Sequence, residues 1–320
     1  MHPTFILDTD IDTDCDDAAA LAVLHSLADQ GELEIAGVIC DTPNPWAGAC
    51  TAAINRACGR PEIPVGVSFR PYEENARYCD HYRRAAAAGV IYNEAVARRA
   101  GVIPGRGFVP LDGVALYRRI LAAAEDRSVT VCAIGLLTVL ADLLRSGPCE
   151  YSPLSGRELV SRKVKRLVTM AEAAFPEGRD GFNWEMDRES AAAVLNFWPS
   201  RLTVNAIGRQ VLTGGRVLGC LPEENPMAMA YRIFGRNNPE FRRPSWDQIT
   251  VLAAANACPD LLGVSPGGTL AYEAVSGGHR WSGESAGNAD YVILSASLEQ
   301  LAESIEDRML APFLPPVPAE

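Results

Sequence analysis

Six aspartates crowd into the ten residues Asp8-Thr9-Asp10-Ile11-Asp12-Thr13-Asp14-Cys15-Asp16-Asp17. Carboxylates drawn into one small volume repel one another and raise each other's pKa unless something compensates them. A hard divalent cation does so economically, and calcium accepts an irregular cage of about six to eight oxygens. The competing interpretation is an acidic loop facing water, with Asp16 and Asp17 placed in the first turn of a helix where the dipole favours negative charge.

Flanking residues say how such a cluster is positioned. Phe5-Ile6-Leu7 ahead of it is a short apolar run, and Ala18-Ala19-Ala20-Leu21-Ala22-Val23-Leu24 after it has a helical composition. The order is buried strand, acidic loop, helix. Open α/β sheets bind their ligands at the carboxyl ends of strands, which is where this loop falls and why a metal site is expected there.

Spacing separates three kinds of metal loop. An EF-hand requires glycine at its sixth position and glutamate at its twelfth; counted from Asp8 these are Thr13 and Ala19. A metal-dependent phosphatase of the haloacid-dehalogenase type resembles strand-DxDx[TV], but the fifth position is Asp12 counted from Asp8 and Asp14 counted from Asp10. That weaker alternative would use magnesium and need a basic group to meet phosphate, and the loop supplies none. The third pattern fits. Asp8, Asp10, Asp14, Asp16, Asp17 and Ala18 spell DTDxxxDxDDA, which resembles the inosine/uridine-preferring nucleoside hydrolase family, in its bacterial branch with the longer loop. Asp12 stands where that branch has glycine, a residue that tolerates positive φ.

The resemblance extends along most of the chain. Gly59-Arg60-Pro61-Glu62-Ile63-Pro64-Val65-Gly66-Val67 matches a GRPxIPVGV turn. Residues 134–138 resemble a strand end whose backbone carbonyl, here that of Ile134, binds the metal. Gly181-Phe182-Asn183-Trp184-Glu185-Met186-Asp187 resembles EFNxxxD with glycine in place of the glutamate, and Trp246-Asp247-Gln248 is the WDQ form of the segment HDPxAV. By resemblance Asp10 is the catalytic base and a metal ligand. Asp17, Asp247 and the Ile134 carbonyl are further ligands, and Asp8 orients Asp10 from behind. Asp16, Asn44, Asn183 and Asp247 grip the ribose. Trp246 replaces a histidine that assists the leaving base and offers an aromatic face instead. Read without the family, Asn44 is a turn former between two prolines, Asn183 and Asp247 are helix caps, and Trp246 is core packing. Asp187 is expected to be a cap.

The implied activity is calcium-dependent hydrolysis of the N-glycosidic bond of ribonucleosides, giving free ribose and base. The ion would lower the pKa of its bound water, and Asp10 would take the proton. A non-catalytic binder, or a protein for an unusual N-riboside, is the alternative on the same fold, because Gly181 removes a sugar contact.

Composition restricts the partners. The 320 residues carry a net charge of −11 and are 48% hydrophobic, which argues against nucleic acid and anionic membranes and for a large buried core. No apolar run of about eighteen residues exists to span a bilayer, and nothing at the amino terminus resembles a signal peptide. Nine scattered cysteines form no CxxC pair, so neither a zinc ribbon nor a disulfide scaffold is expected. A cytoplasmic location follows, and the resemblance adds a homo-oligomer, dimer or tetramer.

Alternating strand and helix patterns predict an α/β fold, a mostly parallel open sheet with helices on both faces and a small β-rich segment near the carboxyl terminus. One nucleoside-hydrolase-like domain over 1–320 is expected. Residues 70–110, polar and with little periodicity, are expected to form a surface excursion or lid carrying His81.

Overall fold

The structure is a computed structural model that describes residues 2–12, 14–171, 174–283 and 287–315. Its centre is a nine-stranded sheet of β1 (Thr4–Thr9), β2 (Glu34–Cys40), β3 (Val65–Val67), β4 (Leu111–Asp112), β5 (Val129–Ala133), β6 (Val164–Met170), β7 (Arg201–Asn205), β8 (Leu262–Val264) and β9 (Ala289–Leu294). The strand order is β8-β9-β7-β6-β5-β1-β2-β3-β4, parallel throughout except for the β8–β9 pair. The expected sheet is therefore present.

A parallel strand covered on both faces is apolar on every side chain rather than on alternate ones. In β1 Phe5 through Thr9 are all buried, and the strand is apolar from Phe5 to Leu7 before it reaches Asp8 and Thr9 at its carboxyl end. Phe5 and Leu7 enter one core and Ile6 the other, as the two-residue period of a strand requires. Because β2 lies on one side of β1 and β5 on the other, the chain order reverses at β1. A crevice opens at the carboxyl ends of such neighbours, and the acidic loop leaves β1 at that point.

Helices that bear on this crevice include α1 (Asp16–Asp29), α2 (Ala76–Ala87), α3 (Asn93–Arg99), α4 (Phe182–Met186) and α5 (Trp246–Ala255). Twelve of the fourteen α1 residues are buried, Asp16 and Asp17 among them, so α1 is a core helix and its acidic first turn does not face water.

Two regions show detail beyond the sequence patterns. Residues 70–110 are largely helical, because α2 is capped by Asn75, whose side chain accepts from the Tyr78 N–H. Its periodicity is obscured by a long exposed arginine-rich face, while Tyr78, Cys79 and Ala85 are buried. Near the carboxyl terminus, Ala289–Leu294 pairs with β7 in the main sheet. The small sheet consists of Thr269–Glu273, Gly278–Ser282 and the distant Gly178–Arg179. Among the described residues, no helix is long and apolar enough to cross a membrane.

Candidate active site

At the carboxyl ends of the central strands lies a cavity of about 220 Å³, lined by Asp10, Asp14, Asp16, Asp17, Asn183 and Asp247 on its polar side and by His81, Met170, Phe182, Phe234, Arg243 and Trp246 elsewhere. The first turns of α1 and α5 point into it and bring together residues 230 positions apart in the chain. One carboxylate oxygen each from Asp16, Asp17 and Asp247 lies within 4.8 Å of the others. All three residues are at most 2% exposed, and the Asp247 Oδ1 atom has no hydrogen-bond partner among the described residues. Asp247 is not the cap of α5, since Ser245 occupies that position.

Without compensating charge this arrangement resists ionisation. Burial, followed by neighbouring carboxylates, holds Asp10, Asp16 and Asp247 well above the ordinary aspartate range. Asp17 is pushed up to about 8 by burial, against a hydrogen bond from the Thr9 hydroxyl, which donates to its Oδ1 at 2.5 Å. A set of buried oxygens with an orphaned acceptor is the chemistry a hard divalent cation satisfies, so Asp16, Asp17 and Asp247 fit a metal ion.

Asp8 lies behind Asp10 and does not line the cavity. Its Oδ2 accepts from the Tyr117 hydroxyl at 2.8 Å, and it shares a hydrogen bond with Asp41. Burial raises Asp8 to about 6 and raises Asp41 well above the usual range, with the Asp8 charge next in importance. Burial is the larger cause of both shifts, and the closeness of the two carboxylates adds to that of Asp41. Asp41 also accepts from the Leu136 N–H at 2.6 Å. Sequence reading gave Asp41 no role, although its place just beyond β2 was a signal. Gly135 is required here: a Cβ would collide with the Asp41 carboxylate and stand 2.7 Å from the Asp10 amide nitrogen.

The remaining predicted residues fall into two groups. Asn183 and Trp246 line the cavity; Asn183 is not a cap and instead donates its amide to the Ile134 carbonyl at 2.5 Å. Asn44 is buried outside the lining, with its Oδ1 accepting from the Trp46 N–H at 2.9 Å and its Nδ2 unpartnered among the described residues. Asp187 is a cap, accepting from the Ser190 N–H. Neither of the described neighbours takes over at Gly181: Asp180 is engaged by Arg188 at 2.8 Å and by Tyr272 at 2.8 Å, and Glu185 faces Arg77 and Arg188.

The segment 70–110 clamps the acidic loop from outside. The Tyr78 hydroxyl donates to Asp12, the Tyr92 hydroxyl to the Asp14 carbonyl at 2.6 Å and the Asn93 amide to the Ile11 carbonyl at 2.8 Å. Asp12, in place of a glycine, is thus a buried anchor for α2. His81 of α2 meets Phe182 of α4 edge to face at 4.6 Å. Arg243, also absent from the sequence-level candidates, pairs with Asp14 across the cavity. The Arg242-Arg243 pair before a helix gives no sequence signal of this.

The family model described as inosine-uridine preferring nucleoside hydrolase matches residues 5–270. The chain belongs to that family. The phosphatase alternative is thereby set aside. No curated protein matches the chain by sequence. Among solved structures, the plant nucleoside hydrolase PpNRh1 is similar over 98% of this chain and 100% of its own, at 17% identity and a TM-score of 0.69. A nucleoside hydrolase from Bacillus anthracis is similar over 97% and 99%, at 18% identity and a TM-score of 0.65. The type III effector XopQ, solved with adenosine diphosphate ribose, is similar over 98% and 95%, at 14% identity and a TM-score of 0.71. At these identities the likenesses establish the nucleoside hydrolase fold, and the family is one of N-glycosyl hydrolases.

Proposed function

We propose that this nucleoside hydrolase family member cleaves the N-glycosidic bond of ribonucleosides with calcium as its cofactor. The observation that carries the proposal is the convergence of Asp10, Asp16, Asp17, Asp247 and Asn183 on one buried cavity at the point where the strand order reverses. Asp10, Asp17, Asp247 and the Ile134 carbonyl would hold the ion, and Asp16, Asn44, Asn183 and Asp247 the ribose. When bound, the cation would activate a water and grip a sugar diol. Asp10 would take the proton from the attacking water, being the most accessible of the buried cavity carboxylates at 7% exposure. Attack at the anomeric carbon passes through an oxocarbenium-like state, whose positive charge the surrounding carboxylates stabilise. Trp246 presents an aromatic face to the leaving base.

By the same reading the protein is a cytoplasmic homo-oligomer, dimer or tetramer, whose 1–320 chain is one domain with 70–110 as its lid. The test is release of free ribose from a panel of ribonucleosides, with chelator and with added calcium. Release abolished by chelator and restored by calcium is the expected result. Tight calcium binding with no release from any member of the panel would turn the reading into a ribose-binding protein without turnover.

A further inference from the structure

Trp246 occupies the position from which a histidine could protonate a departing base, so the leaving group needs another partner. Among the described residues lining the cavity there is one permanent cation, Arg243. Its guanidinium carbon lies 5.3 Å from the Trp246 ring centroid and 5.2 Å from that of Phe234, both within cation–π range. Asp14 accepts from its Nη2. The Nε atom is buried and bonds nothing among the described residues. A guanidinium fixed by two rings and one carboxylate, with an N–H left over, is a preorganised donor rather than a surface charge. His81, the other nitrogen base in the cavity, is driven toward its neutral form by burial and by Arg84, which outweigh Asp14.

We propose that Arg243 binds the departing nucleobase, donating hydrogen bonds to the ring nitrogen or carbonyl oxygen on which negative charge collects; this rests on the hydrolase reading above. The C1′–N bond breaks heterolytically and its electron pair leaves with the base. The water oxygen bonds C1′, its proton passes to Asp10, and the base anion takes a proton from solvent. Arginine keeps its own proton throughout, so it stabilises the anion by donation and not by transfer. The substrate class implied is a nucleoside whose base carries an acceptor conjugated to the glycosidic nitrogen, and not one whose leaving group departs unaided.

The experiment compares Arg243→Met and Arg243→Lys with the unaltered protein on the best natural nucleoside and on p-nitrophenyl riboside, whose phenolate needs no help. Removal of one such donor costs about 10²- to 10³-fold in kcat. That loss is expected for Arg243→Met on the nucleoside, with p-nitrophenyl riboside affected far less and Arg243→Lys falling between. Equal losses on both substrates would show that Arg243 only supports the acidic loop and would overturn the assignment, as would no loss on either. If the unaltered protein cleaves neither substrate, the hydrolase reading fails first and takes this assignment with it.

Discussion

The Asn183 side-chain amide donates to the Ile134 carbonyl at 2.5 Å, so a group expected to grip sugar and a group expected to grip metal hold each other. Asn183 rides on α4 and Ile134 ends the segment after β5, and the contact fixes the two elements across the crevice. A ribose hydroxyl would have to share or replace this bond. Substituting Asn183→Ala removes the sugar contact while leaving the carboxylates in place. One neutral hydrogen bond is worth about 0.5–1.5 kcal/mol net, so KM for the best nucleoside is expected to rise up to about tenfold. Calcium binding, read by titration calorimetry, should change little. Unchanged KM would place the ribose elsewhere.

Asp10 is the group on which turnover should depend most. It is 7% exposed, against 1% for Asp17 and 2% for Asp16 and Asp247, so a water in the cavity can reach it. Replacing Asp10→Asn keeps its size and removes its basicity. Loss of a general base lowers rate by about 10²- to 10⁴-fold, and that loss is expected in kcat. Retention of near-native turnover with intact calcium binding would exclude Asp10 as the base.

Much of this site can be read from the sequence because its signals are local. The apolar run before Asp8, the spacing of Asp16 and Asp17 and the helix after them fix a strand, a loop and an acidic helix start within twenty residues. Asp247 became a ligand candidate only through its resemblance to a family segment, since an aspartate near a helix start is ordinarily a cap. Asp41, Tyr78 and Arg243 were not legible for a different reason. Each acts on a residue far away in the chain: Asp41 on Asp8, Tyr78 on Asp12, Arg243 on Asp14. Sequence periodicity carries no record of such pairings. The helical character of 76–87 was hidden because its exposed residues outnumber the few that anchor it.

The raised carboxylates make stability depend on pH in a sense opposite to that of ordinary salt-bridged aspartates. Asp17 titrates near 8 when folded, against 3.8 for the free side chain. Between these values the folded state binds more protons than the unfolded one, so unfolding free energy falls as pH rises. In chelator, the contribution of Asp17 is fully present below pH 3.8 and is lost as pH climbs through about 8. Calcium binds the deprotonated carboxylates and should reverse the trend. The expected outcome is a calcium-induced rise in Tm that grows from pH 5 to pH 8, measured by thermal denaturation with and without chelator. A shift independent of pH would show that the ion binds away from these carboxylates.

Gly135 offers a test of how tightly the floor of the cavity is packed. A methyl group there meets the Asp41 carboxylate and the Asp10 backbone, neither of which is the free end of a flexible chain. Overpacking of this kind costs about 1–3 kcal/mol, and Gly135→Ala is expected to destabilise the protein by that amount in urea denaturation. Because the displaced backbone carries the proposed base, kcat should fall as well, even though no functional atom is removed.

The segment 70–110 is tied to the acidic loop by a buried bond, and breaking it should separate motion of that segment from chemistry. Tyr78 is 0% exposed and its hydroxyl donates to Asp12, which is equally buried. In Tyr78→Phe the ring packing survives and the carboxylate loses a donor, at a cost of about 1–3 kcal/mol for a buried polar group left short of partners. Hydrogen exchange should quicken across 76–87, where the helix otherwise rests on few buried side chains. His81 lies one turn further along the same helix and reaches Phe182 at the cavity edge, so a loosened α2 would also open the site to water. Faster exchange in α2 together with a lower kcat is the expected pair of results. Faster exchange with unaltered kcat would show that α2 covers the site without shaping it.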